Sequence, residues 1–420
     1  MSADIAPQDR RYTFTPPPRP DWVAKVNEEG RHLDIKSIVP LDADSLIKTA
    51  VANTGLTNFG SDDWRVPFDL YCQGMDDHAE LTLMGRIMTR SDLLVLLEGR
   101  LHIEEVYRLH PEIEQQEIVE PVLIVGQGRS GTSAMVNLLA QDPNNAVELT
   151  WQTMFPTVLE DGEHKEKIKK IADARMHMLG RVTPEVDTIH EWTGDVPTEC
   201  IHVQCLSLQG AAWMEIYGHT PNLFMYLHEH GYYNAVAYEK RVLKLWQWHY
   251  GKTHWILKSP DSMRYMQDTL KVFPDVNILI MHRDPVKSFA SAVNMAGTFV
   301  WARSDHLLGP GSFDSISDLD VASAQISQPI EWLAEGLWTE EKLCNVQYLD
   351  FVADPLREVE RVYAKFGRTL TPEGLAAMQD YIDKHPRTAR PAHKYKSSAT
   401  PRERAAFRRY QEYFNVPSED

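Results

Sequence analysis

Apolar positions along the chain fall into three textures. Residues 1 to 40 follow no period; proline and charge dominate, and an extended N-terminal arm is expected. From Asp42 to about His110 apolar residues recur every three or four positions, as in ADSLIKTAVANTG and HAELTLMGRIMTRSDLLVLLEGRLHIEEVYRLH. That spacing predicts a helical lobe over 41–115. At Pro121 it gives way to short apolar runs: PVLIV, then HWILKSP (254–260), NILIMHR (277–283) and NVQYLDF (345–351). Runs of this kind, separated by helical stretches, predict buried strands of a parallel sheet joined by right-handed crossovers.

The long middle, 150–251, carries no repeat of fixed period but is dense in aromatic residues, among them Trp151, Trp192, Trp213, Tyr217, Phe224, Tyr232, Tyr233, Trp246 and Trp248. Aromatics at helical spacing are ordinarily core; the same side chains can also wall a pocket for a small-molecule acceptor. Residues 384–409 form the one strongly basic segment, either a solvated helix and loop or a lid over an anion.

Charge narrows the partners. Forty-three basic against sixty acidic residues give a formal charge of −17, which works against nucleic acid and anionic membrane, so any anion site must be built locally. The longest apolar stretches, such as LLVLL at Leu93 to Leu97, fall short of the roughly 20 residues of a membrane span. Peripheral membrane contact and self-association stay open. The four cysteines, Cys72, Cys200, Cys205 and Cys344, show no metal-ligand spacing, and the N-terminal stretch lacks the apolar core of a signal peptide. A reduced, cytoplasmic protein is expected.

The candidate chemistry begins at Val125 to Ser133, VGQGRSGTS, between an apolar run and an apolar helical segment. A strand, a loop from Gly126 to Gly131 and a helix set backbone N–H groups and the helix N-terminus around an anion. A nucleotide triphosphatase would follow the last glycine with Lys and then Ser or Thr. Here Thr132 and Ser133 hold those positions, and the cation is Arg129, inside the loop. An arginine so placed clamps a terminal group from the side, which suits a short diphosphate-like anion. No strand-borne aspartate offers a convincing site for magnesium, so a metal-free transfer is expected. A sulfuryl group carries less charge than a phosphoryl group, and protein cations can balance it. Two further motifs stand at strand ends, where α/β folds form their ligand crevice: Lys258 with Ser259, and Arg283 followed eight positions on by Ser291, a pair able to grip one more phosphate.

These residues resemble the sulfotransferases that use 3′-phosphoadenosine-5′-phosphosulfate (PAPS). GQGRSGTS is similar to their 5′-phosphosulfate loop, and HRDPVKSFAS to their 3′-phosphate motif, in the same order. VQYLDFVADPLREVERVYAKFG (346–367) is similar to a further segment in which a tyrosine matching Tyr348 approaches the adenosine. The resemblance runs from about Pro121 to Gly367, preceded by a helical lobe of the kind found in bacterial members. It implies a three-layer α/β P-loop fold over 116–420 and transfer of a sulfuryl group from PAPS to a hydroxyl of a small, lipophilic alcohol or phenol. A carbohydrate or glycolipid acceptor stays open. By the same resemblance Arg129, Ser130, Gly131, Thr132 and Ser133 hold the 5′-phosphate, Arg283 and Ser291 the 3′-phosphate, Lys258 lies beside the bridging oxygen, and Arg129 with Lys258 neutralises the charge that grows there. Three departures stand out: LKSPDSM lacks the histidine that often follows the lysine-bearing strand, Ala134 replaces an aromatic that stacks on adenine, and HPRTARPAHKY matches the closing basic segment only loosely.

An acceptor hydroxyl must lose its proton to a base. Glu148, Asp195, Glu199, Asp261 and His190 are the candidates. Glu148, nineteen residues after Arg129, resembles the catalytic glutamate of sulfotransferases with a carboxylate base and is preferred. Asp195 and Glu199 flank a proline before a helix, where acids also serve as caps. No histidine spacing suggests a metal, and none is expected. Two rival readings are a P-loop small-molecule kinase, which would need a lysine after Gly131, and a nucleotide-binding module that does not catalyse.

Overall fold

The computed structural model describes residues 14–186, 193–210, 218–306, 318–386 and 399–419, without the side chains at 290 and 291. His190 and residues 387–398 of the basic segment therefore lie outside the described residues, as does the side chain of Ser291.

Five strands form one parallel sheet in the order β2-β3-β1-β4-β5: β1 Val122–Gly126, β2 Asn145–Ala146, β3 His254–Lys258, β4 Asn277–His282 and β5 Leu343–Gln347. β1 is central; Val122 to Ile124 pair with Ile256 to Lys258 on one side, and Val122 to Gly126 with Asn277 to Met281 on the other. After β1 the chain goes to the edge at β2, returns to β3 beside β1, then crosses to β4 and β5 on the other side, so the order reverses at β1. Ligands of open α/β sheets bind at such a switch point.

Both faces of the sheet are covered, which is why its strands read as unbroken apolar runs rather than alternating ones. Val122 and Ile124 face one way and pack with Ile256, Leu279, Met281 and Val346 under the helices Thr132–Leu139, Pro355–Lys365 and Pro372–Lys384. Leu123 and Val125 face the other way, into a larger core shared with Trp255, Leu257 and Ile280 and with the helix Tyr233–Tyr250. That core continues through Leu46, Phe68, Leu97 and Leu101, so the N-terminal lobe is a layer on this face of the sheet. Its helices, Ala43–Thr54, Arg65–Asp77 and Leu83–Leu109, follow the predicted period.

Three expectations are corrected. The arm expected to be extended contains helices at Asp21–Gly30 and Ile35–Ile38, because Val23 is fully buried against Met84, Leu179 and Phe299. The strand expected at 345–351 starts two residues earlier and stops at Gln347. Leu343 and Cys344 complete the register with Ile278 and Leu279, and Tyr348 opens a short helix, Tyr348–Ala353. The aromatics named in 150–251 are not uniformly core: Trp151 and Trp246 are fully buried, the Trp246 indole donating to the Pro156 carbonyl at 2.9 Å, whereas Phe224 and Tyr233 are exposed, and Trp192, Trp213 and Tyr217 lie outside the described residues.

The helix Pro401–Phe414 packs Phe407 and Tyr410 against Val286 and Phe289, and Thr400 with Glu403 caps its start reciprocally. Its Tyr410 hydroxyl lies 2.6 Å from Nδ1 of His282, whose Nε2 lies 2.8 Å from Asn345 Oδ1. An amide oxygen only accepts, so Nε2 carries the proton and Nδ1 accepts from the tyrosine. Burial depresses the His282 pKa to about 4, and the ring is a neutral tie between β4 and the C-terminal helix.

Candidate active site

The site forms where β1, β3, β4 and β5 end. β1 runs into Gly126 at φ 145°, the loop passes through Arg129 at φ 72°, and Gly131 at φ 99° opens the helix Thr132–Leu139. Gly131 has to be glycine for a second reason, since a Cβ there would stand 2.9 Å from the Tyr348 ring. Arg129 is not a glycine, and a left-handed conformation costs such a residue about 1 kcal/mol. Its carbonyl is held by Nη1 of Arg283 at 2.9 Å.

This loop fits an anion. The Ser130 hydroxyl is fully buried, and neither it nor Gln127 Oε1 has a hydrogen-bond partner among the described residues. A buried polar group left so costs roughly 1–3 kcal/mol. The first-turn N–H groups beside that hydroxyl have no intrahelical acceptor, so the loop offers several donors to a small anion.

Lys258, the last residue of β3, is buried to its tip. Its Nζ donates to Ser133 Oγ at 3.1 Å and to Glu199 Oε1 at 2.7 Å, tying the loop helix to the segment before the helix Cys200–Gln204. Arg283, just past β4, lies with its guanidinium 4.2 Å from the Tyr348 ring centre. Nε and Nη2 of Arg283 meet both carboxylate oxygens of Glu419 at 2.8 and 2.9 Å. Asp284 secures that tail: it accepts from the Glu419 N–H at 2.7 Å and binds Arg404 through both oxygens at 2.8 and 2.7 Å. A carboxylate of the protein's own C-terminal segment thus sits on the cation expected to bind a phosphate. Ser291 belongs to the helix Pro285–Trp301 that starts beside this arginine.

The base candidates separate. Asp195 is an exposed partner of Lys169 at 3.1 Å, away from Lys258. Asp261 pairs with Arg264 at 3.3 Å, and burial raises its pKa. Glu199 holds Lys258 directly. Glu148 is buried, with the Cys200 thiol beside its carboxylate. Burial, and then the negative charge of Glu239, push its pKa well above the carboxylate range, while a hydrogen bond from Cys200 and, after it, the charge of Lys258 pull the other way. The backbone connects the two glutamates, because the Thr198 N–H donates to the Glu148 carbonyl at 2.8 Å.

Sequence reasoning missed Glu239 and Cys200. Donor atoms of Glu148, Cys200 and Glu239 all lie within 4.8 Å of one another, near enough to share protons or to hold a cation. Glu239 also accepts from Gln204 Nε2 at 2.7 Å, and burial raises its pKa to about 7. A signal for it exists in the sequence: Glu239 interrupts the apolar stripe Val236, Leu243, Trp246 of its helix, where a charge calls for a reason.

A parallel α/β sheet with a glycine-rich anion loop at its switch point defines a P-loop protein. The chain belongs to the sulfotransferase family, whose model matches residues 121–372. Solved structures of similar fold include sulfotransferase STF1 from Mycobacterium tuberculosis H37Rv, with TM-score 0.72, 22% identity, and 87% of this chain and 98% of that chain covered. Sulfotransferase STF9 from Mycobacterium avium gives TM-score 0.70 and 23% identity over 90% of this chain and 98% of that chain. No curated protein matches the sequence.

Proposed function

We propose that this protein is a PAPS-dependent sulfotransferase of the cytoplasm that moves a sulfuryl group to a hydroxyl of a small lipophilic molecule. The observation that carries this reading is the convergence of an anion loop with an orphaned Ser130 hydroxyl, a buried Lys258 and Arg283 at three adjacent strand ends. PAPS, when bound, supplies an activated sulfuryl group on a phosphate leaving group. Ser130 to Ser133 and Arg129 hold the 5′-phosphate through N–H, hydroxyl and guanidinium groups. Lys258, already on Ser133, neutralises charge growing on the leaving oxygen, the kind of preorganised stabilisation that lowers such barriers most. Arg283 and Ser291 take the 3′-phosphate, and Tyr348, packed on Gly131 and Arg283, bounds the adenosine side.

Glu148 receives the acceptor proton. Its raised pKa makes it a strong base once ionised, and Lys258 favours that ionised form. Glu199 holds Lys258 in place before the donor arrives. None of these roles requires a metal.

Calorimetric titration with 3′-phosphoadenosine 5′-phosphate (PAP), beside ATP with magnesium, tests the reading. Micromolar binding of PAP without metal, weakened at least tenfold in Arg283→Ala, is expected. Preference for ATP with magnesium, or no binding of either, rejects it.

A further inference from the structure

A cavity of about 590 Å³ lies between the helices Leu83–Leu109 and Glu163–Val182. That volume falls within the roughly 300–1,000 Å³ of small-molecule sites. At about 30 Å³ for a water-sized group it has room for on the order of twenty non-hydrogen atoms. One wall is the helical stripe Met84, Ile87, Met88 and Val95; the facing stripe includes Ile171 and Met178. Ile87, Ile171 and Met178 are exposed there, although apolar stripes on facing helices ordinarily close on each other.

One part of the cavity wall is close in sequence to the reaction site. It includes Thr150, Thr198 and His202, with Thr198 Oγ1 2.7 Å from His202 Nδ1. These residues sit on the paired segments that carry Glu148 and Glu199, the latter 2.7 Å from Lys258. The lining is otherwise aliphatic and rich in methionine, a side chain that adapts to flexible or irregular ligands. No Phe, Tyr or Trp lines the cavity among the described residues, which leaves a planar phenol without a large ring to stack on.

The mouth is cationic in a protein of net charge −17. Of the lysines on the helix Glu163–Val182, Lys165 and Lys169 are taken up by Asp161 and Asp195. Lys167 and Lys170 line the cavity, are exposed and make no ion pair among the described residues. Arg175 and Arg303 also line it, but both are tied to Asp92, at 3.1 and 2.7 Å.

We infer that the acceptor is an amphiphile: a hydroxylated aliphatic chain whose hydroxyl lies at the threonine wall and whose far end carries an anionic group between Lys167 and Lys170. This inference rests on the sulfotransferase reading for its chemistry. The bond from sulfur to the bridging oxygen of the donor breaks, a bond from sulfur to the acceptor oxygen forms, the hydroxyl proton passes to Glu148, and PAP leaves.

The test is titration of the full chain, free and saturated with PAP, with 12-hydroxydodecanoate, its methyl ester and 2-naphthol. The acid should bind at least tenfold more tightly than either neutral compound. The Lys167→Glu/Lys170→Glu variant should lose that preference with PAP affinity unchanged, and Ile171→Trp, which fills the cavity from its rim, should abolish binding of the acid. If PAP binds but the acid binds no better than its ester, or 2-naphthol binds best, the inference is overturned while the donor reading stands. If the acid binds in a lysine-dependent way and PAP does not, the cavity assignment stands and the donor reading falls.

Discussion

At the scale of single residues, the proposed function gives Glu148 the proton and Lys258 the growing charge. A positioned base contributes roughly 10²–10⁴-fold. Glu148→Gln keeps the size and buried place of the side chain but removes the base, so kcat should fall by about that factor while PAP binds as in wild type. Steady-state rates beside calorimetry measure both; full activity in this variant would move the role to Glu199. Glu148 was legible in the sequence because it follows the loop at a short, fixed remove. Its surroundings were not, since Cys200 and Glu239 come from two helices far along the chain and only packing brings their donor atoms within 4.8 Å.

Among the structural elements, the C-terminal helix matters most to the donor site. Packed on the helix Pro285–Trp301, it delivers Glu419 onto Arg283, where the two make a bidentate, partly buried ion pair. A phosphate that binds Arg283 has to displace this carboxylate. Glu419→Gln weakens the competitor and should tighten PAP binding about three- to tenfold, a change of roughly 0.7–1.4 kcal/mol. Titration of PAP into both proteins reads this directly. Weaker binding in the variant would mean that the tail helps to hold the ligand. The basic character of this region was evident in the sequence, but its interacting group is an acid near the end of the chain, a long-range pairing that no local pattern encodes.

For the whole molecule, pH dependence follows from burying two acids together. Glu239 is shifted from an ordinary 4.5 to about 7, chiefly by burial. Its folded-state pKa is the higher one, so the folded protein binds the proton more tightly. The associated stability is complete below about pH 4.5 and is lost as pH rises through about 7. A shift of this size is worth on the order of 3 kcal/mol. Thermal unfolding should therefore lose stability between pH 5 and pH 8 in wild type, and Glu239→Gln should flatten that loss. An unchanged slope in the variant would assign the dependence to other groups, of which neutral His282 acts in the opposite direction: its pKa is depressed to about 4, and its stabilisation is lost as pH falls.

What the sequence by itself determined is what short stretches of chain encode. Apolar runs specified buried parallel strands, the three-to-four period specified the lobe, and the glycine spacing within VGQGRSGTS specified a strand–loop–helix turn, because backbone geometry at a strand end needs only a few neighbouring residues. Tertiary structure alone decided which side chains meet. It placed Glu199 on Lys258, Glu419 on Arg283 and Glu239 beside Glu148. It also consigned the buried tryptophans of the middle segment to the core and opened the apolar cavity between two methionine-bearing helices. Contacts between distant segments depend on how whole layers pack, and hydrophobic burial is non-directional: it drives those layers together without specifying from local sequence which polar groups will be enclosed.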